Sequence, residues 1–307
     1  MQKIAALLPP TPLLPLDVDG LTIWCKAECL QPVGAFKIRG AWHRMTDLSD
    51  EERARGVVAV SSGNHAQGVA WAAQRLGVAA TIVMPSDAPQ VKLDATHALG
   101  AQIVLYERMR ESRDAIAAAL CSGIGATLVH AYGDPWVIEG QGTAGLELAA
   151  QMERWAGGAP TRIVCPCGGG GLTAGLALAC PEAEIRPVEP AGWDDVTRSL
   201  AAGTILPIDA DPPPTACDAL QTTATYPINF AVMQARGIAG TTVTEREVRD
   251  AQRLAFARLR LVVEPGGAAA LAAVLAGKVP ADGRTAVILS GGNVDPAAFA
   301  QMIPTEK

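Results

Sequence analysis

The chain has 307 residues, 49% of them hydrophobic and only 4% aromatic, with a formal net charge of -6. That length and apolar fraction allow a large core built from Ala, Val, Leu and Ile, the material of buried parallel strands and the helices that cover them. The acidic balance argues against a nucleic-acid backbone or an anionic membrane as partner, so a small-molecule substrate is expected.

In chain order, residues 1–16 are apolar but interrupted by Pro9, Pro10, Pro12 and Pro15. A signal-peptide helix is excluded and an extended arm is expected. Residues 21–26 read as a strand and 36–45 as a helix, with the segment around Lys37 linking them. From Gly56 the pattern becomes regular: a buried strand at 57–60, then a helix at 64–76 stopped by Gly77. Strands at 81–84, 103–105 and 128–130 follow, with helices at 89–99 and 109–120 between them. Residues 115–133 carry no formal charge, yet Ser122, Gly123 and Gly125 break the run, so it is not a membrane span. A second alternation comprises a helix at 135–152, a strand at 162–165, a helix at 172–179 and a strand at 185–188. After a loop at 209–214 come helices at 245–258 and 266–276 and a last strand at 286–289. The expected fold is α/β: two doubly wound lobes with mostly parallel sheets, residues 1–46 with 136–307 forming the larger and 47–135 the smaller, and the site in the cleft between them.

Seven cysteines without a tight framework read as reduced thiols in a cytoplasmic protein. Cys165 and Cys167 are the closest pair and read as strand residues, since no second pair or nearby histidine completes a zinc set.

Lys37 lies between Phe36 and Ile38 in Gly34-Ala35-Phe36-Lys37-Ile38-Arg39-Gly40-Ala41. Apolar surroundings disfavour an ammonium and leave a nucleophilic amine able to form a Schiff base, although an amphipathic surface helix would show the same residues. Gly168-Gly169-Gly170-Gly171 stands between a strand and a helix, where backbone N–H groups and the helix N-terminus can hold a phosphate. Gly169, Gly171 and Ala174, with Glu189 further on, also fit a dinucleotide fingerprint, so this loop alone leaves a nicotinamide enzyme open. Ser61-Ser62-Gly63-Asn64-His65 again follows a strand and opens a helix, which suits a second anion or a plain N-cap. Ser290, before Gly291-Gly292-Asn293, ends the last strand.

The lysine segment, the block from Ser61 to Gly68 and the block from Ser290 to Asn293 resemble, in the same order, the fold type II pyridoxal 5'-phosphate (PLP) enzymes, closest to serine/threonine dehydratases and serine racemases. One PLP molecule accounts for all these segments, whereas a nicotinamide enzyme has no use for Lys37. The resemblance implies that Lys37, beside Phe36, carries the cofactor and that Gly168, Gly169, Gly170 and Gly171 cradle its phosphate. It implies further that Asn64 bonds the 3'-hydroxyl and Ser290 the pyridine nitrogen. Ser61, Ser62, Asn64 and His65 would grip the substrate, with Ser62 facing it from the side opposite the lysine and Arg113 reaching its carboxylate. A Mg²⁺ or Ca²⁺ ion at Glu189, Asp195 and the carbonyl of Trp193, and a homodimer, also follow from the resemblance.

The implied activity is deamination of a β-hydroxy amino acid such as L-threonine or L-serine, with a serine or hydroxyaspartate racemase or a 3-hydroxyaspartate dehydratase as the alternatives. Because a serine cannot protonate the pyridine nitrogen as an aspartate would, elimination is favoured over a long-lived carbanion. Ala35, Tyr132 and the run Asp218-Ala219-Leu220 depart from the family pattern and leave the substrate side chain open. The chain ends soon after Ser290, so the regulatory domain of biosynthetic threonine dehydratases is expected to be missing.

Overall fold

The structure, a computed structural model, describes residues 2–88, 90–107 and 110–303. It begins with α1 (Gln2–Ala5), β1 (Leu13–Val18), β2 (Leu21–Lys26), α2 (Lys37–Thr46) and α3 (Asp50–Arg55). Next come β3 (Val57–Val60), α4 (Asn64–Leu76), β4 (Ala80–Pro85), α5 (Gln90–Ala98), β5 (Gln102–Tyr106), α6 (Arg113–Ile124) and β6 (Thr127–Leu128). The remainder contains α7 (Pro135–Trp155), β7 (Arg162–Pro166), α8 (Gly171–Ala179), β8 (Glu184–Pro190), α9 (Asp195–Ala202), α10 (Pro227–Ala235), β9 (Thr241–Val243), α11 (Glu245–Leu254), α12 (Pro265–Leu275), β10 (Thr285–Ile288) and α13 (Pro296–Met302).

The strands form two sheets, one in the order β1-β2-β10-β7-β8-β9 and one in the order β5-β4-β3-β6. Only the β1–β2 pair is antiparallel among the described strands; every other ladder is parallel. Strands β3 and β10 are buried, as parallel strands covered on both faces must be. Pro15 sits in β1, an edge strand, where its missing N–H costs no inner ladder bond. No helix among the described residues is long and apolar enough to cross a membrane.

Several expectations are corrected. The N-terminal segment is not an extended arm throughout, since α1 precedes the edge strand β1. The helix expected from residue 109 starts at Arg113, where the Ser112 hydroxyl accepts from Ala115 N and caps it. Met109, like Pro89 at the expected start of the preceding helix, lies outside the described residues. The strand expected at 128–130 is only Thr127–Leu128, and α11 gives way after Leu254 to a π-helical turn, Ala255–Leu259. The short α3, held by a reciprocal Ser49–Glu52 capping box, and α9 and α10 are additions to the expected elements, being too short or too polar for a clear apolar period.

Helices α2, α7 and α8 approach backbone to backbone. A Cβ at Gly140 would lie 2.7 Å from Arg39 O, and one at Gly142 2.7 Å from Gly175 O. Behind α2 is a buried charge cluster. Arg39, fully buried, donates Nε and Nη2 to Glu28 at 2.7 and 2.8 Å and Nη1 and Nη2 to Glu147 at 2.8 and 2.7 Å. Lys26 Nζ joins Glu147 at 2.9 Å and Thr11 O at 2.8 Å, and the Thr11 hydroxyl donates to Glu28 at 2.6 Å. Burial opposes the charge on Glu28 most strongly, yet Arg39, Lys26 and the Thr11 hydroxyl outweigh it and hold the carboxyl below its ordinary value.

Replacing Arg39 with Met strands buried carboxylates and should cost about 3 to 5 kcal/mol in urea unfolding. Because the Glu28 pKa is lowered on folding, its contribution is complete above 4.5 and fades as the pH falls through the folded value, so below 4.5 the wild type should lose stability faster than Glu28→Gln. An Arg39→Met loss under about 1 kcal/mol would show the cluster to be dispensable.

Candidate active site

The loops that follow β2, β3, β7 and β10 all open on one cavity of about 530 Å³, at the C-terminal ends of parallel strands, where open α/β sheets place their ligands. Phe36, Lys37, Ser61, Ser62, Asn64, His65, Arg113, Gly168, Gly169, Gly170, Gly171 and Ser290 line it. The ends of the chain meet here because β2 and β10 are neighbours: Phe36 N donates to Ser290 O at 3.0 Å and Gly292 N to Gly34 O at 2.8 Å.

Lys37 is the first residue of α2. Its Nζ donates to Ala131 O at 2.7 Å and lies 5.2 Å from the centre of the Phe36 ring, and no carboxylate among the described residues pairs with it. Burial brings its pKa down to about 8. An amine in this state is a nucleophile and base at modest pH, which a surface lysine is not.

The glycine loop leads from β7 into α8, whose N-cap, Gly170, has φ 87°, a conformation that favours glycine. A Cβ at Gly168 would lie 2.8 Å from the Thr222 hydroxyl, and one at Gly169 would collide with the Tyr132 ring. Gly169 O accepts from Asn229 Nδ2 at 2.7 Å and from Thr225 Oγ1 at 3.2 Å, which turns the loop's carbonyl away and leaves α8's N-terminus for an anion.

On the facing loop, Gly63 N donates to Ser61 Oγ at 3.1 Å as α4 begins. Asn64 Nδ2 donates to Glu264 Oε1 at 2.5 Å, and its Oδ1 accepts from Asn293 Nδ2 at 2.8 Å. His65 is driven by burial to a pKa of about 3, so it is a neutral ring whose Nε2–H is given to Val129 O at 2.8 Å. It brings no positive charge to a substrate carboxylate. Arg113 opens α6 with its side chain 39% exposed, and Asp114 lies 3.9 Å from it. The Ser290 backbone is fixed by Phe36, and its residue is 5% exposed.

Glu189, Trp193 and Asp195 lie apart from the cavity, where β8 runs into α9. Glu189 caps α9, accepting from Val196 N at 3.0 Å and from Thr197 N and Oγ1 at 2.7 and 2.6 Å. Trp193 donates its amide to Pro190 O and its indole to Pro213 O. The Asp195 oxygens are buried without a hydrogen bond of ordinary geometry, although the Thr225 amide is close enough to favour their charge. Burial raises Glu189 to about 8 and Asp195 to about 7. Of the two expected carboxylate ligands, Asp195 keeps unpaired oxygens, and among the described residues no three His, Cys, Asp or Glu side chains gather as a metal cluster. With Glu189 committed to α9, the dinucleotide fingerprint also lacks its ribose-binding acid.

Sequence reading missed a second charged group in the cavity. Lys92 of α5 pairs with Asp218 across the cleft, and Glu264, buried at the start of α12, is raised to about 7 by burial. Glu264-Pro265-Gly266-Gly267, an acid before a small-residue helix start, was the available signal. Tyr132 forms with His130 and Tyr226 an aromatic wall over the glycine loop.

A buried nucleophilic lysine, a backbone anion cradle and a second polar loop facing one cavity define an α/β enzyme built for a phosphorylated carbonyl cofactor, and the glycine cradle and Lys37 amine fit PLP. The chain matches the pyridoxal-phosphate dependent enzyme family over residues 4–291, and it belongs to that family. It is 40% identical to an L-threo-3-hydroxyaspartate ammonia-lyase of Saccharomyces cerevisiae, covering 94% of this chain and 87% of the relative. Among solved structures it is similar to a T.th. threonine deaminase (44% identity, TM-score 0.87, 96% of each chain) and to maize serine racemase (34% identity, TM-score 0.90, 98% and 93%). The fold is thus that of the fold type II PLP enzymes, and the protein is an enzyme of the serine/threonine dehydratase type.

In protein freed of cofactor, reaction of Lys37 with a small aldehyde should show a pH midpoint near 8. A midpoint at the ordinary 10.5 would mean that the amine is not buried in solution.

Proposed function

We propose that the protein is a PLP-dependent ammonia-lyase that converts a β-hydroxy amino acid, such as L-threonine or L-serine, to a 2-oxo acid and ammonia. The observation that carries this reading is Lys37, a buried amine with its pKa lowered to about 8 in a cavity shared with the glycine cradle. The substrate class is supported by the names of the relatives, a threonine deaminase and a hydroxyaspartate ammonia-lyase among them.

In this reading the Gly168 to Gly171 amides hold the phosphate, Asn64 donates to the 3'-oxygen and the Ser290 hydroxyl meets the pyridine nitrogen. Ser61, Ser62 and Arg113 hold the substrate carboxylate. The cofactor, when bound, supplies an electron sink for the pair left at Cα. Lys37, once free, takes the Cα proton, and the hydroxyl leaves Cβ with its bonding pair. The water lost in elimination is regained as the amino group departs as ammonia, so the net products balance. The hydroxyl of Ser290, unlike a carboxylate, does not hold a proton on the ring, which favours prompt loss of the β-hydroxyl.

A racemase is the second reading, supported by Ser62, which reaches the cavity from the loop after β3 while Lys37 comes from the segment after β2. We further propose the larger domain as residues 1–46 with 136–307 and the smaller as 47–135, since β3 to β6 make up the four-stranded sheet. A cytoplasmic homodimer completes the reading, with the unpaired cysteines supporting a reducing compartment.

A panel of L- and D-serine, L- and D-threonine and the 3-hydroxyaspartates, assayed for 2-oxo acid and for inversion, tests the function. Wild type should release 2-oxo acid from at least one L-isomer, and Lys37→Ala should lose turnover and the borohydride-reducible link to PLP. Ser62→Ala should suppress inversion more than elimination. Inversion without ammonia in the wild type would make the racemase reading correct.

The proposed Mg²⁺ or Ca²⁺ site at Glu189, Asp195 and the carbonyl of Trp193 is supported by the buried, unpaired oxygens of Asp195. At a hundredfold excess over Kd, Mg²⁺ or Ca²⁺ should stabilise the fold by about 2.7 kcal/mol. The wild-type Tm should therefore fall in EDTA and recover with metal, and Asp195→Ala should not respond. A wild-type Tm indifferent to both treatments removes the site.

A further inference from the structure

Asn64 carries an amide whose nitrogen and oxygen are nearly the same size, so packing alone does not decide which one faces the cavity. Its neighbours decide it chemically. Asn293 Nδ2 donates to Val33 O at 2.8 Å, and that carbonyl can only accept, so the nitrogen of Asn293 is fixed. The same nitrogen donates to Asn64 Oδ1 at 2.8 Å. On the other side, Glu264 Oε1 takes a hydrogen from Asn64 Nδ2 at 2.5 Å. Gly291 permits this meeting, since a Cβ there would collide with Glu264 Oε1 and lie 3.1 Å from Asn64 Nδ2.

We propose that Glu264 is a positioning residue that acts through Asn64: with Asn293 it orients the Asn64 amide so that the second N–H points into the cavity. This rests on the reading above, in which that N–H meets the cofactor's 3'-oxygen. An Asn64 amide turned the other way would oppose its oxygen to that oxygen and bind the cofactor poorly.

Glu264 is 1% exposed, and its Oε2 has no hydrogen-bond partner among the described residues. The charged and titratable groups facing it are Lys92, which favours its carboxylate form, Asp218, which opposes it, and the thiols of Cys29 and Cys217, both pushed up to about 12 by burial. Burial brings Glu264 to about 7. Above that pH it is a pure acceptor and the Asn64 orientation is enforced; below it the acid has a hydrogen of its own and the constraint relaxes.

The test uses Glu264→Gln, whose side chain has the same shape but both a donor and an acceptor, so that position 264 no longer dictates the Asn64 orientation and Asn293 alone is left to hold it. Resolved protein is reconstituted with PLP, and cofactor Kd and the pH titration of the yellow lysine–cofactor band are measured beside Asn64→Ala. Losing one oriented hydrogen bond should weaken PLP binding about tenfold in Glu264→Gln and diminish the yellow band. The double variant should be no weaker than Asn64→Ala alone, because both act through one contact. Asn293→Asp, which sets an acceptor against Asn64 Oδ1, should give the same spectral change from the opposite side, and covers the case in which Glu264→Gln does not fold.

If Asn64→Ala alters the band and Kd while Glu264→Gln and Asn293→Asp do not, the positioning role is wrong and the contact of Asn64 with the cofactor stands. Additive losses in the double variant would likewise overturn it, since Glu264 would then act independently. If Asn64→Ala itself changes neither quantity, the cofactor reading of Asn64 fails, and the proposal falls with it.

Discussion

The guanidinium of Arg39, locked between Glu28 and Glu147, is the interaction on which the site's geometry depends. It ties the turn after β2, the first turns of α2 and the middle of α7 into one piece, and Lys26 and Thr11 extend the tie to the N-terminal segment. Removing these charges from water is expensive, and only paired, charge-assisted hydrogen bonds with nearly every oxygen occupied offset the cost. Such a cluster tolerates one arrangement. Because Lys37 lies two residues before Arg39 on the same helix, fixing Arg39 from behind fixes where the lysine amine can reach in front.

Around that anchor the topology does the assembling. The parallel pairing of β2 with β10 brings residues near the start and end of the chain into one hydrogen-bonded seam, and β7 alongside β10 adds the glycine loop. The β3 loop arrives from the other sheet, with α4 packed so closely on the lysine segment that a Cβ at Gly68 would lie 3.2 Å from Lys37 O. Glycines at these contacts serve distance rather than flexibility.

Burial then tunes the chemistry. Burial disfavours the charged forms of three groups at the cavity: Lys37 falls to about 8 and His65 to about 3, while Glu264 rises to about 7. Lys37 and Glu264, which in water would be firmly charged, are brought near the point of proton exchange, the condition that acid–base work near neutral pH requires. Lys92 and Asp218 pair with each other across the cleft. Tyr132, packed with His130 and Tyr226, stands over the same glycine loop.

Much of this was legible in the residues themselves. Short apolar runs bounded by glycines marked the inner strands, because a strand buried on both faces has no alternative composition. Phe36-Lys37-Ile38 suggested a desolvated amine, which the buried Lys37 is, and the glycines from Gly168 to Gly171 marked a tight turn into a helix, where side chains have no room. The Glu189 to Asp195 loop offered only its spacing and its likeness to a family pattern, and neither says whether a carboxylate turns to a cation or to the helix it precedes; Glu189 turns to α9. Likewise no local pattern shows that Glu264 lies beside Asn64 or Lys92 beside Asp218, since those pairs are 200 and 126 residues apart. Local composition decides which segments are strands, helices and reactive loops, whereas the partners of a buried charge are decided only when the sheets have paired and water has been excluded.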